Sequence, residues 1–364
     1  MAATRTTRNP NQVPLPLEAP AKICAVGVGG GGCNAIMRML QARTVPGVRF
    51  LCVNTDIKSL QQVSEAHTIQ IGGSLTKGLG AGGNPDVGAQ AATSGRTQLK
   101  KALRGADLVF LTAGMGGGTG TGATAVVADI ARETGAMVVA VATTPFAFEG
   151  TRRLETAMVG INRLREHVDN IIVIHNDRLL GLTKEDTSMD AALRMADEAV
   201  MLGILSVAEV VNLPGEINVD LADVKSIMQL PGQALIAIGE STSGGPLAAA
   251  RNALSNPLLD ISIEGAKGVL FNVNGGPAMT LGEVNATGEL ISLQVDPAAM
   301  IFFGMVNNQE PTETSRVTLI ATGIPDGGTS FIEGGLSHRA QTGSTPDQNL
   351  DLDLPPFLRR TTAR

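Results

Sequence analysis

Two aspartates carry the clearest potential for chemistry in the sequence: Asp220 and Asp223, in the segment NVDLADVK, with Asn218 beside them. Their i, i+3 spacing places both carboxylates on one face at the beginning of a helix. Carboxylates in such a position can orient a water molecule and accept its proton, as hydrolysis of a phosphoanhydride requires. They can equally stabilise the N-terminus of the helix that carries them. The spacing alone does not decide between these two roles.

Four glycine-bearing segments indicate what such carboxylates could act on. They follow separate apolar runs and read GVGGGGCN (27–34), GLGAGGNPD (78–86), GMGGGTGTG (114–122) and TTPFAFEG (143–150). Glycine lets the backbone approach an anion closely, and the first turn of a helix leaves N–H groups unpaired. Several such segments at one edge of a sheet predict a single extended polyphosphate ligand. Backbone amides and threonine hydroxyls would hold it, with a cation neutralising its charge, because the sequence has no GxxxxGK[ST] motif.

These residues do not determine which polyphosphate binds. Gly27, Gly29 and Gly32 satisfy GxGxxG, and Asp56 near the end of the next predicted strand completes a dinucleotide fingerprint. An NAD-dependent oxidoreductase is therefore one alternative, and a nucleotide-bound scaffold that does not hydrolyse is another. A run of four glycines matches many patterns, however, and a dinucleotide site does not need the second run at 114–122. The four histidines form no visible catalytic group in the sequence: His67, His167, His175 and His338.

The elements that must position these residues follow from the hydrophobic pattern. From residue 21 onward, short and almost wholly apolar runs alternate with amphipathic helical patterns, which is typical of parallel strands covered on both faces. We predict a doubly wound, mostly parallel α/β domain over 21–187. A long helix follows at 188–212, capped by Thr187 or Ser188, and leads to a smaller α/β domain with a mixed sheet at 213–324.

Composition excludes several classes of protein. The 364 residues carry a net charge of -6 and include no Trp, no Tyr and nine Phe, so neither a basic nucleic-acid footprint nor an aromatic platform for bases is expected. Three cysteines without metal-ligand spacing predict no metal site held by the protein and fit a reducing compartment. Residues 1–20 lack a signal-peptide core, and no segment is apolar enough to cross a membrane. We expect a cytoplasmic protein without direct membrane insertion, with disordered segments at 1–20 and 325–349.

The order of the motifs also resembles a known family. GVGGGGCNA, VNTD, GAGGNPDVG, GMGGGTGTGA, FEGTRR, HNDRLL, NVDLADVK and EGAKGVLFN occur in the order found in the FtsZ family of tubulin-like GTPases. The resemblance covers about 21–324 and returns in LDLPPFLRR near the end. It implies a tubulin-like fold, binding of GTP and GDP, Mg²⁺ held mainly through the nucleotide, and room for a monovalent cation.

The resemblance also assigns residues. It places two groups around the guanine, Asn176 and Asp197, and a carboxylate such as Asp197 can accept from both guanine N1–H and the exocyclic amine. Glu149 and Arg153 would lie on the ribose side, although their i, i+4 spacing also fits an ordinary surface ion pair. Leu193 and His175 depart from an aromatic residue and a proline that are common in the family. The remaining implied nucleotide contacts are Gly30, Gly31, Gly32, Cys33, Asn34, Gly82, Gly83, Gly118, Thr119 and Gly120.

Asp220, Asp223 and Asn218 follow the long helix, so we expect them at the end of the domain opposite the glycine segments. A head-to-tail contact would bring the two halves together between neighbouring molecules and, if it does not close, would form a filament. The family implies this arrangement, with hydrolysis completed between subunits of a cell-division ring. It also implies a partner-binding peptide at 350–364 that reaches membrane-tethering proteins at the division site, through Leu354, Pro355, Phe357, Leu358 and Arg359.

Overall fold

The computed structural model describes residues 21–42, 47–63, 66–180, 188–212, 217, 219–255, 262–276, 279–307 and 314–325. Several predicted features lie outside these residues: the N-terminal arm at 1–20, Asn218, the segment 326–349 and the peptide at 350–364. The predicted boundaries after residues 187 and 212 adjoin segments outside the described residues and stay predictions. No helix of the described residues is long and apolar enough to cross a membrane.

The amino-terminal half is a parallel sheet with the strand order β3-β2-β1-β4-β5-β6. All of its neighbouring strands pair in parallel, and β1, β4 and β5 are buried along almost their whole length, as the apolar runs predict. Strand order reverses between β1 and β4, which is the position where doubly wound sheets bind ligands. The strands are β1 (Ile23–Val28), β2 (Val48–Asn54), β3 (His67–Gln70), β4 (Leu108–Gly114), β5 (Met137–Thr144) and β6 (Asn170–His175).

Helices cover both faces of this sheet. Two buried clusters, one on each face, contain alternate residues of the same strands, for example Val109 and Leu111 on one side and Leu108 and Phe110 on the other. The helices in this half are α1 (Gly29–Ala42), α2 (Ile57–Gln61), α3 (Gly73–Thr76), α4 (Pro85–Ser94), α5 (Arg96–Leu103), α6 (Thr119–Glu133), α7 (Thr151–Arg165) and α8 (Asn176–Leu180), with a 3₁₀ turn at Ala147–Glu149.

A 24-residue helix, α9 (Met189–Asn212), joins the halves as the pattern predicts. Ser188 caps it, since its hydroxyl accepts from Ala191 N at 3.2 Å. At about 1.5 Å per residue the helix is roughly 36 Å long. Its last residue, Asn212, lies beside Gly47 just before β2, because a Cβ built on Gly47 would come 2.8 Å from Nδ2 of Asn212. The helix therefore ends at the edge of the sheet where the parallel strands begin.

The carboxyl-terminal half has the predicted mixed sheet. Its strand order is β7-β10-β8-β9; β10 pairs antiparallel with β7 and β8, whereas β8 and β9 are parallel. A single register pair, Ile172 with Ala234, joins it to β6. Its elements are α10 (Leu221–Met228), β7 (Gln233–Ser241), α11 (Gly245–Leu254), β8 (Gly268–Gly275), α12 (Leu281–Ser292), β9 (Met300–Asn307) and β10 (Ser315–Ile324).

Candidate functional site

The first glycine run lies directly after β1, at the reversal of strand order. Gly29–Ala42 is already α1, so four glycines occupy the first turn of a helix. Gly29 has φ +73, and a Cβ there would lie 2.7 Å from Gly120 N. Only glycine combines this backbone conformation with so close an approach. The 27–34 and 114–122 segments are therefore in direct contact, and the unpaired amides of α1 lie beside those of α6.

The third glycine segment completes the cradle. A Cβ on Gly118 would lie 2.8 Å from the Cβ of Ala81, so the 78–86 segment touches the beginning of α6. Around Gly30, Gly82 and Gly83, in contrast, a Cβ would meet nothing within 4 Å. These glycines thus border open space while their neighbours hold three chain segments together. Backbone amides around such a space suit the oxygens of a polyphosphate.

The threonines of the cradle bond to the protein itself. The hydroxyls of Thr119 and Thr55 lie 2.6 Å apart, and Thr121 Oγ1 accepts from Gly116 N at 2.9 Å. Thr124 Oγ1 donates to Gly120 O at 2.5 Å. Within the protein, the Thr121 and Thr124 hydroxyls thus bond to the glycine backbone, and the role of the threonines as phosphate donors stays a prediction. The backbone amides are the other donors that can face a ligand.

Cys33 lies in the glycine run, but its side chain is buried in the core. Its thiol approaches Gly27 O at 3.7 Å and Val53 O at 3.9 Å. A hydrogen bond with the Cys52 thiol, together with burial, raises the pKa of Cys33 far above the ordinary range. The helix N-terminus therefore does not activate this thiol, and only the backbone of Cys33 can face a ligand. Asn34, one residue on, is exposed.

Glu149 and Arg153 form the i, i+4 ion pair that their spacing allows, with Arg153 Nη1 2.7 Å from Glu149 Oε2. The other carboxylate oxygen accepts from Phe146 N at 2.9 Å. This pair follows β5, and a Cβ on Gly116 would lie 2.8 Å from Arg153 O. The pair therefore adjoins the glycine cradle, and Arg153 keeps half of its side chain exposed.

Two polar groups sit further along the same edge of the sheet. Asn176 begins α8 after β6; only 6% of it is exposed, and its Oδ1 has no hydrogen-bond partner among the described residues. Asp197 on α9 accepts from Arg38 Nε at 2.8 Å. Burial raises the pKa of Asp197 above its usual value, and the hydrogen bond from Arg38 offsets only part of this effect. A buried acceptor without a partner and a partly buried carboxylate fit the donor groups of a guanine base. Leu193, one turn before Asp197, is exposed.

Asp220 and Asp223 lie elsewhere. Asp220 is the N-cap of α10, where its carboxylate accepts from Asp223 N at 2.8 Å. The carboxylate of Asp223 makes no hydrogen bond or ion pair within the part of the chain that the structure describes. Asp220 therefore caps α10, whereas the carboxylate of Asp223 is engaged by none of the described residues.

Both ends of the stretch that carries these aspartates contact the amino edge of the parallel sheet. Asn212 precedes them beside Gly47, and α10 ends where Met228 O accepts from Asn170 Nδ2, at the first residue of β6, at 3.0 Å. The glycine cradle lies at the carboxyl edge. At about 3.3 Å per residue, the six-residue β1 alone separates the two edges by about 20 Å. Within one molecule, the residues that flank the two aspartates and the glycine cradle therefore lie at opposite edges of the sheet.

Comparison with known proteins identifies the family. The GTPase domain of the Tubulin/FtsZ family matches residues 22–184, and the C-terminal domain of the FtsZ family matches residues 232–325. A structure described as an empty FtsZ dimer from M. jannaschii is 40% identical, with a TM-score of 0.79 over 84% of this chain and 89% of that chain. The chain belongs to the FtsZ family. It is accordingly a GTPase that binds GTP and GDP.

Other FtsZ-like structures agree with this placement. A mutant form of M. jannaschii FtsZ is also 40% identical, with a TM-score of 0.79 over 84% of this chain and 92% of that chain. CetZ2 from Haloferax volcanii, described as a GTPγS-bound protofilament, is 21% identical with a TM-score of 0.72 over 87% of this chain and 97% of that chain. The likeness to CetZ shows the fold alone. The tubulin-like fold expected from the sequence is confirmed.

FtsZ family membership replaces the dinucleotide interpretation, and the structure shows why that fingerprint was misleading. Asp56, its acidic residue, caps α2 and accepts from Lys58 N at 2.9 Å and Ser59 Oγ at 3.0 Å. Its carboxylate is therefore engaged by the protein rather than offered to a ribose.

Sequence reasoning missed two residues of the site, Arg38 and Thr55. Arg38 is one turn beyond Asn34 on α1, but its partner Asp197 is 159 residues away along the chain, so no local pattern connects them. Thr55 is wholly buried and was read only as part of the VNTD motif. Its hydroxyl reaches Thr119 across 64 residues of sequence.

Proposed function

We propose that the chain assembles head to tail, with GTP bound between subunits and its hydrolysis completed by Asp223 of the next molecule. The observation that supports this proposal is that Asn212 and Met228, which flank Asp220 and Asp223 in the chain, contact the amino edge of the parallel sheet, whereas the glycine cradle lies at its carboxyl edge. A heterologous contact joins unlike faces, and one that does not close gives a filament. Such a contact is the simplest way for these carboxylates to reach a γ-phosphate.

The roles in nucleotide binding follow from the placement of each segment. The amides of Gly30–Asn34, Gly82–Gly83 and Gly118–Gly120 surround the phosphates in this proposal, because Gly30, Gly82 and Gly83 border open space and Gly118 and Gly120 belong to the segment that packs against them. Glu149 and Arg153 contact the ribose side next to that cradle. Asn176 and Asp197 bind the base: Oδ1 of Asn176 and the carboxylate of Asp197 supply acceptors for the N–H groups that distinguish guanine from adenine.

The hydrolytic step needs an oriented water. Asp223 carries a carboxylate with no partner among the described residues, so it can hold a water in line with the γ-phosphorus and accept its proton. The water oxygen then bonds to phosphorus as the bond to the β–γ bridging oxygen breaks. Asp220 positions this step: by capping α10 it fixes the backbone that carries Asp223. Asn218, outside the described residues, adjoins the same stretch.

The metal ions that GTP hydrolysis needs would be held by the nucleotide itself. Nowhere in the described residues do three His, Cys, Asp or Glu side chains converge to hold a metal ion. The cradle offers amides, which suit phosphate oxygens rather than Mg²⁺. We therefore assign Mg²⁺, and any monovalent cation, to the phosphate oxygens of bound GTP, where it would offset negative charge as the γ-phosphate leaves.

Exposed apolar side chains at the cradle support the head-to-tail contact. Leu79 in the 78–86 segment is 80% exposed, and Leu75 and Phe148 nearby are also exposed. At the other contact region, Ile217 is exposed three residues before Asp220 and pairs with Met305 through two backbone hydrogen bonds, of 3.3 and 2.9 Å. Apolar surface on both faces is what a contact between copies would cover.

The biological role proposed for these filaments is the cell-division ring. The match to the FtsZ family C-terminal domain favours this role over other tubulin-like polymers. We propose that the peptide at 350–364 binds membrane-tethering and other division proteins and so concentrates cytoplasmic filaments at the division site. Its contact residues would be Leu354, Pro355, Phe357, Leu358 and Arg359.

Sedimentation with parallel measurement of phosphate release tests the proposal. The chain is incubated with GTP, GDP, ATP or NAD over a range of protein concentrations. We expect GTP alone to give pelletable filaments, and phosphate release to rise steeply above a critical concentration. Phosphate release that stays proportional to protein concentration, with no pellet, would show that one molecule holds the complete site.

A further inference from the structure

Ile217 attaches the stretch that carries Asp220 and Asp223 to the edge of the carboxyl-terminal sheet. Its N–H donates to Met305 O at 3.3 Å, and its carbonyl oxygen accepts from Met305 N at 2.9 Å, so it extends the sheet beyond β9. Val219, two residues on, is buried, and Asp220 caps α10. The position of both carboxylates therefore depends on how firmly the backbone is held at Ile217.

Asn272 on β8 lies next to this attachment. It pairs in register with Gly304 of β9, the residue before Met305. A Cβ built on Gly304 would lie 2.9 Å from Asn272 Oδ1, 3.4 Å from Ile217 O and 3.6 Å from Cγ2 of Val219. The amide oxygen of Asn272, the carbonyl of Ile217 and the side chain of Val219 therefore meet at one place, where glycine leaves room for the amide oxygen.

The amide oxygen of Asn272 has hydrogen-bonding capacity that the described residues do not use. Asn272 is only 6% exposed, and its Oδ1 has no partner among those residues. The neighbouring oxygen of Ile217 is also an acceptor, so the two oxygens cannot bond to each other. A water molecule has two hydrogens and can donate to both, as buried waters commonly do for polar groups of this kind. Such a water would link β8 to the backbone that precedes Asp220.

We propose that Asn272 is a positioning residue for GTP hydrolysis. Through a bridging water its amide oxygen holds the backbone at Ile217, and this contact limits the positions that the Asp223 carboxylate can take. A small displacement of a catalytic group is enough to slow a reaction strongly. The inference rests on the proposed function, because it acts through Asp223. The glycine cradle belongs to the other half of the chain, so binding of GDP does not depend on Asn272.

Phosphate release per amount of pelleted protein, at saturating GTP, tests this role in the full-length chain. Asn272→Leu keeps the approximate volume of the side chain but removes the acceptor, and should lower turnover about five-fold or more. Asn272→Asp keeps an acceptor oxygen at the same place and should retain at least about half of the wild-type turnover. The affinity for GDP should stay within about two-fold of wild type in both variants, because the cradle is distant.

Two further variants separate this role from a general loss of structure. Val273 adjoins Asn272 on β8, but its side chain is buried in the core on the opposite face of the sheet. Val273→Ala should lower the unfolding temperature and leave turnover unchanged. Gly304→Ala presses a Cβ against Asn272 Oδ1, so it should lower turnover on its own. It should lower turnover no further in Asn272→Ala, which lacks that oxygen.

Coupling to Asp223 is the decisive measurement. If Asn272 acts through Asp223, then Asn272→Leu should change the residual phosphate release of Asp223→Asn by less than about two-fold. Wild-type turnover in Asn272→Leu, a loss matched by Val273→Ala, or losses of Asn272→Leu and Asp223→Asn that multiply would each overturn the positioning role and leave the proposed function standing. Wild-type turnover in Asp223→Asn alone would instead overturn the proposed function, and this role with it.

Discussion

Arg38 Nε donates to Asp197 Oδ2 at 2.8 Å and so ties the first helix of the sheet to the long helix between the two halves. In the absence of nucleotide, the carboxylate that we assign to guanine is therefore engaged by the protein. Burial nevertheless raises its pKa above the usual 3.8. The carboxylate is held in place, yet it is more easily protonated than an exposed one.

This pair predicts a specific pH dependence of nucleotide binding. If guanine binds ionised Asp197, GDP affinity is constant above the raised pKa and falls as pH decreases through it, by up to tenfold per pH unit. Arg38→Ala removes the partner that lowers the pKa of Asp197, so GDP affinity should begin to fall at a higher pH than in the wild type. Arg38→Lys keeps the positive charge and should raise that pH less. Titration with a fluorescent GDP analogue from pH 4.5 to 8 measures this. Identical pH profiles for wild type and Arg38→Ala would contradict the assignment.

The unpartnered Oδ1 of Asn176 predicts a role in base recognition. Asn176→Ala should weaken GDP binding by about 5- to 150-fold, which corresponds to about 1–3 kcal/mol for one buried hydrogen bond. Inosine diphosphate, which lacks the exocyclic amine, should bind wild type more weakly than GDP does. Asp197→Asn and Asn176→Ala should each narrow that preference. Calorimetry with both nucleotides decides the point, and a preference unchanged in both variants would remove these residues from the base site.

Two adjacent glycines predict opposite outcomes. Gly29→Ala forces a Cβ against Gly120 N at a positive φ and should destabilise the fold by about 2–4 kcal/mol. Gly30→Ala meets nothing within 4 Å, so it should leave the unfolding temperature unchanged while its methyl group obstructs the phosphate position. Thermal unfolding without nucleotide and GDP binding together test the pair. Normal GDP affinity in Gly30→Ala would show that phosphate does not contact this turn.

The burial of the three cysteines predicts that their thiols do not react in the native protein. Cys24, Cys33 and Cys52 are buried, and burial raises the pKa of Cys24 to about 11. Ellman's reagent at pH 8 should therefore react with none of them in the native protein and with all three in guanidinium chloride. Rapid reaction of one native thiol would show that the fold opens around that cysteine, and protection by GDP would link the opening to nucleotide binding.

Much of the fold was predictable because its apolar runs are long and unambiguous. The core strands β1, β2, β4, β5 and β6, the helix α9 and every named element after it match the sequence pattern. β3 was not predicted, since two of its four residues, His67 and Thr68, are exposed and it lies at the edge of the sheet. α4 was hidden by its glycine and alanine content, although Asn84 caps it as a helix-starting residue should.

The part of the site that consists of backbone amides could be predicted from the sequence. The part that depends on contacts between residues far apart in the sequence could not. Runs of glycine marked the cradle, yet the sequence could not show that Gly29 and Gly120 touch or that the first run is helical. Nor could it show which groups of the protein the threonine hydroxyls contact. Their partners, such as Thr55 for Thr119, become neighbours only when β2 and α6 pack together.

The central claim is that two molecules share one active site, and complementation of two inactive variants tests it most directly. Asp223→Asn keeps an intact cradle, and Asp197→Asn combined with Asn176→Ala keeps an intact Asp223. Each alone should lose GTPase activity by about 10²-fold or more. When the two variants are mixed in equal amounts and assemble at random, an intact cradle faces an intact Asp223 at about one contact in four. We therefore predict phosphate release at up to about a quarter of the wild-type rate. A mixture as inactive as its components would contradict the account.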